Sequence, residues 1–477
     1  MTNTSATLLW LRRDLRLGDH PGWERALAGE GPVTPVFILD PVIEDSYGAA
    51  PRWRLERALE RFSEALKVKG SRLILRRGRA LDVLEALIEE TGARRVVWSR
   101  QYEAAARTRD SEIKGALKER GLEVHSVNAA LLFEPWTVET KTGGYYKVYT
   151  PFWKAVRGSD PGGVLAAPSD LKPPKDWPVS DTLADWGLGK GVARGARHLT
   201  RHAIVGEDAA LARLDWFLDG PIARYKAERD RMDLDATSKL GQCLATGEVS
   251  PRTLWHAGRQ AMEQGGRAAE GAETFVQEIV WREFAYHLLY HTPQIAERNW
   301  REEWDAFPWQ DDNDGARRWQ RGLTGIAIVD AAMREMYVSG TMHNRARMLT
   351  ASLLTKHLMT HWRLGERWFA EHLIDWDPAS NAMGWQWSAG SGPDATPFFR
   401  IFNPETQAEK FDPQKSYRSR WLAEGRQNPH EDALAYFDAV PRAWGLEAKA
   451  PYPKPIVDLK QGRERALAAY KQARSAA

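Results

Sequence analysis

Hydrophobic positions along the first 130 or so residues follow two alternating patterns. Short apolar runs at Leu8–Leu11, Val36–Leu39, Leu73–Leu75, Val96–Trp98 and Val124–Val127 have the length and bulk of buried strands. Between them, Arg52–Lys69, Ala80–Thr91 and Ala104–Arg120 carry amphipathic helical spacing. This alternation predicts an α/β N-terminal domain built on a parallel, Rossmann-like sheet, assigned to residues 1–132. From about Phe133 to Arg201 periodicity lapses into Gly- and Pro-rich sequence, including Gly143-Gly144, Pro161-Gly162-Gly163 and Pro173-Pro174. Residues 133–206 are therefore expected to be a long, partly ordered connector. Beyond Glu207 the spacing is helical and predicts an all-α domain over 207–477. Ile326, Val329, Met333 and Met336 mark one helix that Gly340 is placed to end. A second helix is expected over Met342–His361, with Leu349, Leu353 and Leu354 on its buried face. The Pro- and charge-rich tail after Val440 is expected to pack weakly, and no internal repeat is visible.

Composition narrows the function classes. A chain of 477 residues is too long for one ordinary core. At 43% hydrophobic and 27% charged residues it has a globular profile. The formal net charge of +3 leaves any basic surface local. A single cysteine, Cys243, excludes internal disulfides and Cys-based zinc or iron–sulfur sites. The start, Met1–Ala6, carries no signal-peptide pattern, and no membrane span is visible. A soluble, cytoplasmic, monomeric protein without metal or membrane partner is the expectation. No Gly-x-Gly-x-x-Gly follows the first strand, which argues against a phosphate-cradling dinucleotide loop there. Gly187-Leu188-Gly189-Lys190-Gly191 is a chance likeness, because no strand precedes it.

Candidate chemistry gathers in four segments. Asp375–Trp387 crowds two carboxylates, two amides and three indoles into what reads as a loop, a costly mixture to bury unless each polar group is partnered. Glu278, Trp281 and Arg282 share a helical face at i, i+3 and i+4, as do Asn344, Arg347 and Met348, with Arg345 turned aside. Each face taken alone is equally compatible with a solvated ion pair or a cap. Asp235–Gly241 places hydroxyls and small residues just before a helix, as either a phosphate nest or a simple cap would. The recurrence of carboxylate, amide, Arg and aromatic in three separate segments favours a ligand over structural pairing. The 22 tryptophans could pack a core, stack on bases or carry electrons.

Several long motifs in fixed order then carry a resemblance over nearly the whole chain. They are Leu9-Trp10-Leu11-Arg12-Arg13-Asp14-Leu15-Arg16-Leu17, Trp281-Arg282-Glu283-Phe284, Gly325–Met333, Met342–Met348, Trp385-Gln386-Trp387 and Arg400-Ile401-Phe402-Asn403-Pro404. The chain resembles the photolyase/cryptochrome family, specifically class I cyclobutane pyrimidine dimer photolyases. The resemblance implies an all-α C-terminal FAD-binding domain and light-driven repair of pyrimidine dimers in UV-damaged DNA by excited reduced FAD. It implies that Tyr225 and Thr237, Ser238, Lys239, Leu240 and Gly241 hold the flavin phosphates. Arg282, Trp376 and Asp377 would complete the flavin pocket, Arg347 would pair with Asp375 beside the ring, and Asn381 would face N5. A flipped-out dimer would stack on Trp281 and Trp387, with Glu278 bonded to a base carbonyl and Asn344, Arg345 and Met348 around it. Arg229 and Gln407 match DNA-contacting positions. Trp385, Trp362 and Trp309 match a chain of electron carriers from flavin to surface.

The class assignment rests on identities at single positions. Relatives that repair (6-4) photoproducts carry His at the positions of Asn344 and Met348, and plant-type cryptochromes usually carry Asp where this chain has Asn381. The sequence departs from the family at Lys239 and Gly241, usually Arg and Ser, at Trp376, usually small, and at Ala382 and Met383. Ala105 and Ala106 stand where folate-binding relatives have Asn and Glu. A second antenna chromophore is therefore expected to be a deazaflavin or flavin sooner than a folate. A signalling cryptochrome and an NAD(P)H-dependent flavoprotein are the alternative readings.

Overall fold

The computed structural model describes residues 5–394 and 400–476, so the first four residues of the polar start lie outside it. Five strands, β1 (Thr7–Leu11), β2 (Val33–Leu39), β3 (Ile74–Arg77), β4 (Arg95–Ser99) and β5 (Glu123–Val127), form one parallel sheet in the order β3-β2-β1-β4-β5. Leu9 and Leu11 face the helix Ala49–Val68 through Leu55, Leu59 and Phe62. Leu8 and Trp10 face the helices Ala80–Thr91 and Ala104–Glu119 through Leu84, Leu87, Ile113 and Leu117. Both faces are covered, which is why the strands read as continuous apolar runs and not as alternation. β2 starts three residues before the expected Val36. Pro35 conceals this beginning, and it is tolerated because β3 pairs with β2 only from Val36 onward.

The connecting region is laid back onto the sheet by backbone bonds. Val33 N–H donates to Lys172 O and Asp181 N–H to Leu75 O, each at 2.8 Å. It also forms the helix Tyr149–Val156, whose Tyr149, Phe152 and Val156 are buried.

The remainder is helical among the described residues, with one isolated bridge between Gln310 and Thr360. Gly340 ends the helix Ala327–Ser339 in the left-handed conformation, at φ 67°. The helix expected over Met342–His361 is shorter. It runs Asn344–Ser352, capped by His343 Nδ1 accepting from Arg345 N–H at 3.1 Å, and continues as a π turn at Leu353–His357. Leu349, Leu353 and Leu354 are buried in either winding, so apolar spacing does not register the change. The weakly packed tail is a second correction. Leu459–Ala476 is an 18-residue helix whose Ala466, Ala469 and Ala473 are buried, and Arg465 donates to His357 O at 2.6 Å. Small residues on one face allow close approach, which a search for large apolar residues misses. No described helix is long and apolar enough to cross a membrane.

The sheet and the helices meet over buried arginines. Arg16, after β1, donates to the carbonyls of Gly247, Asp19 and Ala129. A Cβ on Gly247, at φ 75°, would lie 2.1 Å from Arg13 O, so glycine is required there for the close approach. Arg54 pairs with Glu248, both fully buried, and Glu248 also accepts from Gly206 N–H at 2.7 Å and the Thr246 hydroxyl at 2.8 Å. Arg54→Met should strand that carboxylate and cost about 3–5 kcal/mol in denaturant unfolding. Arg54→Met with Glu248→Met should recover part of the loss.

Candidate functional site

A cavity of about 1380 Å³ opens within the helical region. Four of its walls are the segments singled out above. The Gly266–His291 helix contributes Glu278, Trp281 and Arg282, and the Asn344–Ser352 helix contributes Asn344, Arg347 and Met348. Tyr225, Arg229 and the run Thr237–Gly241 form a third wall. Asp375, Trp376, Asp377, Asn381, Trp385 and Trp387 form the fourth. Arg345, Gln407, Trp309 and Trp362 are not among the lining residues.

The fourth wall is not the loop it was read as. Asp377 caps the helix Pro378–Ala389, accepting from Ser380 N–H at 2.8 Å, with Pro378 at the first helical position. Asp-Pro is a helix-start signal, and the density of polar and indole side chains obscured it. Asn381, Trp385 and Gly384 thereby share one side of a helix.

Many of the polar groups are held by the protein itself. Arg347 Nη2 lies 2.6 Å from Asp375 Oδ2. Tyr286 donates to Asp377 Oδ2 at 2.7 Å, and Arg282 Nη1 donates to Ala130 O at 2.8 Å. Burial opposes the Asp377 carboxylate, but Arg282 and Arg13 outweigh it and hold its pKa below the usual value. Arg213 donates to the carbonyls of Thr237 and Ser238, at 2.7 and 3.0 Å, and within the loop Leu240 N–H reaches the Ser238 hydroxyl at 3.5 Å. Lys239 sits in the left-handed region at φ 56°, a strain that marks a shaped turn. Asn381 donates both amide hydrogens to Glu366, at 2.9 Å to Oε1 and 3.1 Å to the carbonyl. Burial raises Glu366 to about 7.

Other polar atoms are left without a protein partner. Asp375 Oδ1 and the indole N–H groups of Trp376 and Trp385 are buried and unbonded. Buried orphans of this kind are rare unless a ligand satisfies them. A polar ring system with donors and acceptors on its edge fits that demand.

Trp376 has a structural explanation. Its ring packs edge-to-face on Tyr47, with centroids 5.4 Å apart, so it links the sheet region to the cavity wall. At the cavity mouth Arg229 pairs with Glu278 at 2.5 Å. Trp281 is stacked face to face on Tyr149, with centroids 3.6 Å apart and planes 6° off parallel. Tyr149, Glu366 and Tyr47 escaped the sequence reading. Tyr149 lies in the connector, where no periodicity or motif marks it, and Glu366 looks like an ordinary helical carboxylate.

The three matched tryptophans occupy graded depths. Trp385 and Trp362 are buried and Trp309 is half-buried. Trp385 packs against Gly365, where an added Cβ would lie 2.1 Å from the indole. Trp362 donates to Asn299 Oδ1 at 2.8 Å, and His361 lies between Trp362 and Trp309 at 5.6 and 5.3 Å from their rings. Arg345 pairs with Asp230 at 2.6 Å and covers Phe411. Gln407 is half-buried, with Oε1 unbonded. Ala105 is exposed and Ala106 is buried.

The switch point between β1 and β4, where parallel sheets commonly take ligands, is closely filled. Arg12 meets Asp110 at 2.7 Å and Arg109 meets Asp40 at 2.5 Å, and a nearby cavity holds only about 20 Å³. A second ring system there requires those pairs to part. Among the described residues no cluster of His, Cys, Asp and Glu could hold a metal ion.

With this geometry the comparisons agree. Residues 7–172 match the family model for DNA photolyase, and residues 275–472 match that for the FAD binding domain of DNA photolyase. A deoxyribodipyrimidine photo-lyase of Agrobacterium fabrum is 45% identical over 472 residues, covering 98% of each chain. The structure of a class III photolyase from Agrobacterium tumefaciens superposes with a TM-score of 0.90 at 43% identity, covering 100% of this chain and 99% of that one. An archaeal photolyase from Sulfolobus tokodaii, solved with two FAD molecules, matches at a TM-score of 0.77 and 27% identity, over 98% and 100%. The chain belongs to the DNA photolyase family. It carries that family's FAD-binding domain, and the class I likeness noted above is joined by a class III neighbour.

One consequence concerns pH. Burial raises both Glu366 and Glu283 to about 7. A carboxyl raised above its unfolded value stabilises the fold in its protonated form, fully below the unfolded pKa, and that stability is lost as pH rises through 7. Burial lowers His287, His343, His357 and His372 to about 4, and these add stability as pH rises over the same range, so the Glu366 contribution is read as a difference between parent and variant. Glu366→Gln should gain melting temperature relative to the parent as pH rises from 5.5 to 8, as read by thermal melting across pH.

Proposed function

We propose that this protein is a light-driven lyase that splits cyclobutane pyrimidine dimers in DNA, working as a cytoplasmic monomer. The observation that carries this reading is one cavity combining a flavin-type polar edge (Asp375, Arg347, Asn381) with two lesion-facing indoles, Trp281 and Trp387. Reduced FAD held in this cavity would, when excited, supply the electron that opens the dimer and would recover it afterwards, so there would be no net redox change.

The residues divide the remaining work. Tyr225, Thr237, Ser238, Lys239, Leu240 and Gly241 hold the phosphates, and Arg282, Trp376 and Asp377 close the pocket. Asn381 has both amide hydrogens on Glu366, so its carbonyl oxygen is what remains for a ligand. An acceptor there favours a protonated N5, as in a reduced flavin. The dimer leaves the duplex to reach the cavity, stacks between Trp281 and Trp387, and is lined by Asn344 and Met348. Glu278 hydrogen-bonds a base carbonyl where charge develops. To do so it exchanges its bond to Arg229, which becomes available to a phosphate. Arg229, Arg345 and Gln407 position the strand without reading sequence, so affinity should fall as salt rises. Trp385, Trp362 and Trp309 refill the flavin from the surface.

UV-irradiated DNA mixed with the reduced, FAD-loaded protein should lose its dimers under blue light and keep them in the dark. No loss under light would leave a cryptochrome-type photoreceptor as the reading. Glu278→Ala should lower the repair yield about tenfold or more with FAD retained. Trp309→Phe should slow light-driven reduction of oxidised FAD at least several-fold while sparing repair by pre-reduced protein. Equal photoreduction would route the electrons elsewhere.

A further inference from the structure

We propose that Tyr149, delivered by the connector, is a positioning residue that fixes the plane of Trp281 and thereby sets the affinity for the damaged dinucleotide. The proposal rests on the reading of Trp281 as a lesion-stacking wall.

Three observations converge. The Tyr149 and Trp281 rings stand 3.6 Å apart and 6° from parallel, a closer and flatter pairing than any other ring contact described in the molecule. One face of the indole is therefore occupied, and the residue itself lines the cavity. Tyr149 is in turn held at both ends. Its hydroxyl donates to Gln277 O at 2.8 Å, one turn before Trp281 on the same helix, and its backbone N–H donates to Asp394 Oδ1 at 3.3 Å. Phe284 closes the cluster, edge-on to Tyr149 at 5.9 Å and to Trp281 at 6.0 Å. Burial, reinforced by the Glu278 carboxylate, pushes the phenol far above its ordinary pKa, so it remains a donor at any working pH.

An isolated indole at a cavity mouth samples several rotamers, and a stacking ligand must bear the entropy of fixing one. Tyr149 removes that cost in advance. Its neighbours Lys147 and Val148 also line the cavity, so the connector supplies part of the wall for the substrate. The segment that lacked any periodic signal thus acquires a task in recognition.

The test uses the FAD-loaded full chain and a strand carrying one cyclobutane dimer. Tyr149→Leu, which keeps bulk without a ring face, should weaken binding of the damaged strand about tenfold, as loss of roughly one stacking contact predicts. Its affinity for undamaged strand, its FAD absorbance and its dimer splitting per absorbed photon at saturating DNA should be unchanged. Tyr149→Phe should stay within about twofold of the parent, since stacking persists. In a Trp281→Ala background, Tyr149→Leu should cause no further loss. Additive losses, or equal losses for damaged and undamaged strands, would overturn the proposal. So would a failure of both Tyr149→Leu and Tyr149→Met to load FAD, since that would make the role one of general folding. If Trp281→Ala itself leaves damaged-strand affinity unchanged, the lesion-wall reading fails first and this proposal falls with it.

Discussion

The structure depends on buried arginines at the seam between sheet and helices. Buried Arg54 on Glu248, buried Arg16 on the carbonyls of Gly18, Asp19, Ala129 and Gly247, and half-buried Arg252 on buried Asp19 each cross that seam. Guanidinium groups suit this place because a planar fork can satisfy several acceptors at once, so little of the charge is left undischarged. Hydrophobic contact alone would allow the two parts to slide. A buried charge with fixed partners tolerates one arrangement only, because any displacement leaves an ion without its counterpart. The cost is real, and it yields a defined seat for the connector, whose Leu165 exchanges hydrogen bonds with Asp19.

That seat explains why motifs far from the cavity are needed to build it. Arg13 lies close enough to Asp377 to help hold it ionised, and Tyr47 supports Trp376 from the sheet side. The cavity wall is thus partly braced by the first 50 residues. Trp376 fills the space against Tyr47 and carries the seam into the pocket.

How much was legible in the sequence follows from which physics each feature uses. Strands and helices with strong apolar periodicity were readable, and so were the i, i+3, i+4 faces bearing Glu278, Trp281 and Arg282 or Asn344, Arg347 and Met348. The π turn at Leu353–His357 was not, because π and α windings bury the same leucines. The Leu459–Ala476 helix was missed because its buried face is alanine. Asp377 was noticed for its charge, while its capping role, signalled by Pro378, was overlooked. Roles of cavity residues came from motif resemblance, since no spacing rule tells a carboxylate that grips a flavin from one that pairs with arginine.

Glu366 and Tyr149 show a different limit. Neither belongs to a patterned motif, and each acts by holding a residue that does. Glu366 takes both hydrogens of Asn381, which turns an ambivalent amide into an acceptor. Tyr149 takes one face of Trp281, which turns a mobile indole into a wall. Sequence reading finds groups that touch a ligand because their chemistry is unusual for their place. It passes over the groups that orient them, because a carboxylate on a helix or a tyrosine in a connector is ordinary by itself. Only the pairing, separated by 15 positions in one case and 132 in the other, carries the information, and that pairing exists only once the chain has folded.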